Sequence, residues 1–168
     1  MRFEREEFLL HPADAVYELV RDRFAELLPH LPGVASIEVL SREPAGKGKT
    51  RIRSRWRIRP PAVVGSLLPQ KALVWHEEAL WTDRKRTVES HIEGYGYESK
   101  SKIVYEPASD YTRVKIAAVV RFHPDAVDIP KQNLERIVAS SRDVLREAVE
   151  PNLFAFLDAI REKLSTDT

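Results

Sequence analysis

Apolar and polar positions alternate with period two through the middle of the chain, whereas near both ends they recur at three- and four-residue steps. The clearest alternation is TRIRSRWRIRP, in which Thr50, Ile52, Ser54, Trp56 and Ile58 oppose Arg51, Arg53, Arg55, Arg57 and Arg59. Such a strand has one wet face and one buried face. Before it, RFEREEFLL reads as a first strand, VASIEVLSR as another, and EPAGKGK as a glycine turn. Between those strands Ala13, Val16, Tyr17, Val20, Phe24, Leu27 and Leu28 give one apolar face to one or two short helices, which Pro29, Pro32 and Gly33 stop.

After the arginine strand the pattern continues. KALVWHEEALWTD is a strand that turns at Asp83-Arg84-Lys85 into RTVESHIEG, and YGYESKSKIVYEP and YTRVKIAAVVRF alternate again. PPAVVGSLLPQ is too rich in proline for a central strand. From about residue 130 to 164, Leu134, Ile137, Val138, Leu145, Ala148, Val149, Phe156, Leu157 and Ile160 keep helical spacing. This predicts one long helix, capped by Asp128 and kinked at Pro151.

The order is a strand, short helices, six strands joined mostly by hairpins, and a long helix. A curved antiparallel sheet closing on that helix is the expected α+β architecture. In the opening FEREEFLLHPADAVYELVRD, the hairpin PGVASIEVLSREPAGKGKTRIRSRWRI, the strand LVWHEEALWTD and the terminal amphipathic helix, the chain resembles the START-like (SRPBCC) superfamily of Bet v 1-like helix-grip proteins. The resemblance implies one domain over residues 1–168, with about seven strands around the C-terminal helix and two short helices after the first strand. It also implies an apolar ligand, such as a lipid, sterol or polyketide, held between helix and sheet by a carrier or by a cyclase or hydrolase.

The strand 71–83 is mixed on both faces, so its neighbours must orient it. If the arginines face water, Glu78, Glu89 and Glu93 share that outer face as cross-strand charge partners, and Trp75, Glu77 and Trp81 point inward. The inner face then holds Ile52, Ser54, Trp56, Val88, Ser90, Ile92, Tyr97, Ser99, Ser101, Ile103, Tyr105, Val114, Ile116 and Phe122 as well. A wall containing Ser54, Ser90, Ser99 and Ser101 packs a dry core poorly and lines a ligand pocket well. The expected ligand-binding set is therefore Ser54, Trp56, Trp75, Glu77, Trp81, Ser90, Tyr97, Ser99, Ser101 and Tyr105. Within that inventory Glu77 is the one ionisable acid or base, and burial should raise its pKa. It is the candidate for proton transfer or for bonding a polar ligand end, against the plainer role of a buried acid paired within the protein.

Charge and composition narrow the field. The net charge is +1 and cysteine is absent, which excludes disulfides and thiolate metal sites and gives no overall pull on nucleic acid. The fragment His76-Glu77-Glu78-Ala79-Leu80 has Leu80 where a zinc-binding HExxH needs its second histidine. His11, His30, His91 and His123 are scattered, so no metal or other cofactor is expected. The arginine strand 51–59 is a candidate surface for anionic partners, weighed against a solvated face balanced by glutamates, and no nucleic-acid motif accompanies it. The 60–70 loop is a candidate lid or transient membrane-surface contact. With charges breaking up the N-terminus, the default location is cytoplasmic. The favoured function is carriage of a hydrophobic small molecule. A polyketide cyclase or dehydratase using Glu77 with Tyr97 or Tyr105, and an interaction module using the arginine strand, are the alternatives.

Overall fold

The computed structural model describes residues 2–59, 69–128, 130, 132 and 155–166. Its alternating segments form seven strands: β1 (Arg2–Leu9), β2 (Val34–Pro44), β3 (Lys49–Ile58), β4 (Val74–Thr82), β5 (Thr87–Gly94), β6 (Tyr97–Ala108) and β7 (Tyr111–Phe122). They make one antiparallel sheet in the order β1-β7-β6-β5-β4-β3-β2. Each strand from β2 to β7 therefore pairs with the next, while the first strand closes onto the last. The chain between β1 and β2 must cross from one edge of the sheet to the other.

That crossing is helical. Helix α1 (Ala13–Asp22) buries Val16, Tyr17, Leu19 and Val20, and a 3₁₀ segment (Phe24–His30) follows with Pro29 inside it. The helical face expected between residues 13 and 28 is thus divided, because Arg23 leaves the α conformation before Phe24. Lys71 to Leu73, expected in a strand, belong instead to a 3₁₀ turn (Gln70–Leu73). The turn at Asp83–Lys85 is also 3₁₀, and Arg86 closes it in the left-handed region with φ 45°.

Continuous register sorts the side chains into transverse rows on the inner face. The first row is aromatic, running Trp56, Trp75, Gly94, Tyr97, Phe122. The second runs Ser54, Glu77, Ile92, Ser99, Val120, and the third Ile52, Ala79, Ser90, Ser101, Ala118, Phe3. A fourth, Thr50, Trp81, Val88, Ile103, Ile116, Arg5, and a fifth, Tyr105, Val114, Glu7, lie further along. Every position placed inward by the arginine alternation does face inward.

Beneath the fourth and fifth rows lies the packed core. Leu9, Val16, Leu27, Val114, Leu157 and Ile160 are fully buried there, beside Trp81, Val88 and Ile116. Leu157 and Ile160 come from helix α2, described over 155–166, whose Phe156 stacks on Phe24 with ring centroids 5.8 Å apart. The C-terminal helix thus grips the inner face as expected. Most of the predicted apolar face and the Pro151 kink fall outside the described residues, as does the 60–68 part of the candidate lid. No helix among the described residues is long and apolar enough to cross a membrane.

Candidate functional site

Strand pairing places Ser54 directly opposite Glu77, with Trp56 one position along the same face. Ser54 Oγ donates to Glu77 Oε2 at 3.0 Å, and the Trp56 indole N–H points at both Glu77 Oε2 and Ser54 Oγ, 2.9 Å from each. On the far side Ser90 and Ser101 join hydroxyl to hydroxyl at 2.8 Å across β5 and β6. A polar band therefore crosses β3, β4, β5 and β6 in the second and third rows of the inner face.

Burial pushes the Glu77 carboxyl above the ordinary carboxylate range, while its bonds to Ser54, Trp56 and Ser90 work against the rise. Glu77 is half-buried in accessible area even though protein atoms crowd it. Both facts fit a carboxyl recessed in a wall, desolvated but with part of its surface still open. A neutral carboxyl there can donate one hydrogen bond, and an ionised one can take a proton.

The aromatic row borders this band. Trp75 and Tyr97 stack at 5.0 Å with an interplanar angle of 16°. They can do so because Gly94 stands between them: a Cβ at that position would lie 2.7 Å from the Trp75 ring. Trp56 meets Phe24 edge-on at 5.4 Å, which ties the row to the 3₁₀ segment. Burial raises the Tyr97 hydroxyl pKa, opposed by its bond to Ser99, so the phenol stays neutral near pH 7.

Eight of the ten expected ligand-binding residues come together in these three rows: Ser54, Trp56, Trp75, Glu77, Ser90, Tyr97, Ser99 and Ser101. Trp81 and Tyr105 do not. Trp81 lies four residues from Glu77, about 13 Å along the strand at ~3.3 Å per residue, and packs edge-on against Tyr17 of α1 at 5.5 Å. Tyr105 is 1% exposed and meets the same Tyr17 ring at 5.9 Å. Both belong to the buried core under α1. The Tyr105 hydroxyl has no hydrogen-bond partner among the described residues, an arrangement that costs about 1–3 kcal/mol.

Glu77 is also not the sole charge on the inner face. Arg5 and Glu7 of β1 pair with inward positions of β7, their closest approach to each other being 3.9 Å. The alternation Phe3, Arg5, Glu7, Leu9 was available in the sequence, but two charges in the series conceal its apolar face. These groups sit at the sheet edge, on the core side of the polar band.

The outer face carries the charges. Glu78 receives Arg53 at 2.8 Å and lies 3.4 Å from Arg51, and Arg55 lies 3.7 Å from Glu38. Of the other glutamates placed outside, Glu89 pairs with Lys102 at 3.1 Å and Glu93 lies beside His91 at 3.6 Å, so neither partners an arginine of β3. Much of the arginine strand is thus balanced, as its plainer reading has it. The described histidines, aspartates and glutamates form no group of three suited to a metal ion.

A seven-stranded antiparallel sheet with a C-terminal helix on its inner face is the helix-grip fold. Among solved structures the chain is similar to TTHA0849 from Thermus thermophilus, with 24% identity over 100% of both chains and a TM-score of 0.72. It is similar also to the ZhuI aromatase/cyclase from Streptomyces sp. R1128, at 16% identity over 97% of this chain and 92% of that one, TM-score 0.69. Norcoclaurine synthase from Thalictrum flavum, in complex with dopamine and hydroxybenzaldehyde, shares 16% identity over 100% of this chain and 88% of that one, TM-score 0.60. No family model and no curated protein matches the sequence.

Proposed function

We propose that this protein, as one START-like domain over residues 1–168, binds a hydrophobic small molecule between the inner sheet face and the C-terminal helix. The observation that carries this reading is the polar band of Ser54, Glu77, Ser90 and Ser101, set between an aromatic row and a buried core. A face meant only for packing gains nothing from four small or charged polar groups, which lose water and leave volume unfilled. A face meant for a ligand gains orientation from them, while apolar burial at ~25 cal/mol per Å² supplies the drive. That solved neighbours include an aromatase/cyclase and a synthase holding two aromatic molecules is in keeping with an aromatic ligand.

Native mass spectrometry of the purified protein, followed by organic extraction, tests the proposal. An apolar molecule of defined mass should leave the protein on denaturation, and its release should be matched by a loss of thermal stability. A protein that carries nothing and gains no stability from a panel of lipids, sterols and aromatic ketones would end the carrier reading.

The recessed position of Glu77 favours one second reading, an enzyme of the cyclase or dehydratase kind. Glu77 would act as acid or base and Tyr97, one row away, would position a carbonyl; Tyr105 is too deep for that role. Turnover of a bound ketone that disappears in Glu77→Gln, with binding retained, separates the enzyme from the carrier.

A further inference from the structure

Each serine hydroxyl in the polar band has a single hydrogen to give. On the β3 side of Glu77 the direction of giving is fixed, because the Trp56 N–H can only donate and its nitrogen stands 2.9 Å from Oε2, beside Ser54 Oγ at 3.0 Å. On the β5 side Ser90 is shared: it bonds the Glu77 carboxyl and also meets Ser101 Oγ at 2.8 Å. Glu77, Ser90 and Ser101 therefore form a chain across β4, β5 and β6, and the oxygen positions alone allow either hydroxyl of the Ser90–Ser101 link to be the donor.

The chemistry of the carboxyl settles the sense. An ionised carboxylate only accepts, so Ser90 spends its hydrogen on Glu77, and Ser101 must supply the hydrogen that joins it to Ser90. Both hydroxyls then point towards β4, each polarising the next. A protonated Glu77 can donate to Ser90 instead, which turns the same chain round. The other titratable side chains on this face among the described residues are Tyr97 in the first row, Arg5 and Glu7 at the β1 edge, and Tyr105, which meets Tyr17 of α1. The buried side chains of α2 over 155–166 are apolar.

We propose that Glu77, Ser90 and Ser101 act as one hydrogen-bonding unit, in which the ionised carboxylate draws both hydroxyl hydrogens towards itself and leaves the half-buried Ser101 with lone pairs that accept a hydroxyl of the ligand. Ser101, two strands from Glu77, is thereby a specificity-determining residue for an apolar alcohol or phenol. The ligand clause rests on the binding reading above, whereas the unit is a property of the wall itself.

A carbon NMR titration of isotopically labelled glutamate carboxyls tests the unit, with the Glu77 signal assigned by its loss in Glu77→Gln. Ser90→Ala removes a donor to the carboxylate and should raise the Glu77 midpoint by about one pH unit. Ser101→Ala should raise it too, by roughly a few tenths of a unit, since Ser90 loses the donor behind it. Ser101→Thr keeps the hydroxyl and should restore the original midpoint. If Ser90 instead donates to Ser101, Ser101→Ala releases that hydrogen to Glu77 and the midpoint falls; a fall or no change overturns the unit. Circular dichroism confirms that each variant folds. Neutron diffraction of the unaltered protein above the Glu77 midpoint reads the same hydrogens without a substitution, and a Ser90 hydrogen aimed at Ser101 is the overturning result. For the ligand, isothermal titration above that midpoint compares naphthol with its methyl ether. Naphthol should bind at least about fivefold more tightly, an advantage that Ser101→Ala abolishes. Equal binding of the two overturns the acceptor role of Ser101, and binding of neither overturns the ligand reading with it, while the carboxyl titration still judges the unit.

Discussion

At Glu77 the protein keeps a carboxyl in a place that opposes its ionisation. Its folded pKa lies above the unfolded value because burial outweighs the bonds from Ser54, Trp56 and Ser90. Below the unfolded pKa, about 4.3, both states are protonated and the site carries no penalty. As pH rises, the unfolded chain ionises first, so stability falls until the folded carboxyl also ionises. The unaltered protein should therefore lose stability relative to Glu77→Gln from about pH 4.5 upward, by at most ~1.4 kcal/mol per pH unit. Urea midpoints of the two proteins between pH 4 and 8 measure it, and parallel curves would refute the assigned burial. Gly94 makes a second prediction at this scale. Gly94→Ala places a methyl against the Trp75 ring, so it should cost about 1–3 kcal/mol, the usual range for overpacking. Glu78→Ala on the outer face should cost less than about 1 kcal/mol, because its arginine pairs are solvent-exposed.

Among the elements, the strands were legible and the distances along them were not. Five alternating arginines oriented β3, and antiparallel pairing carried that orientation to the neighbouring strands, so the inner faces of β3 to β7 follow from one segment. Face alone does not tell how far along a strand a residue sits. Trp81 and Tyr105 have the correct parity but lie in rows that α1 covers, and only the register separates them from the polar band. In β1 the inward Arg5 and Glu7 were missed because amphipathic reading looks for apolar residues at alternate positions. The link between elements at the aromatic row is Phe24, held between Trp56 and Phe156. Phe24→Ala should remove both ring contacts and cost up to about 3–5 kcal/mol. The same change should loosen the 3₁₀ segment, read as faster amide exchange over residues 24–30.

For the molecule as a whole, a sheet closed by β1 onto β7 leaves β1 and β2 as its two edges, and the crossing helices and C-terminal helix all serve the inner face. The serine hydroxyls and the Glu77 carboxyl of that face collect in the second and third rows, while Arg5 and Glu7 stand apart at the β1 edge, so one region of the interior is polar and another is packed core. That division has an optical consequence. All three tryptophans of the chain, Trp56, Trp75 and Trp81, stand on the inner face, two in the row bordering the polar band and one in the core under α1. Excited at the red edge of their absorption, they report from the interior alone, and the outer charged face is dark. Under the proposed ligand reading, Trp81 is an internal standard that an occupant of the band should leave unaltered, while Trp56 and Trp75 should change in intensity and wavelength.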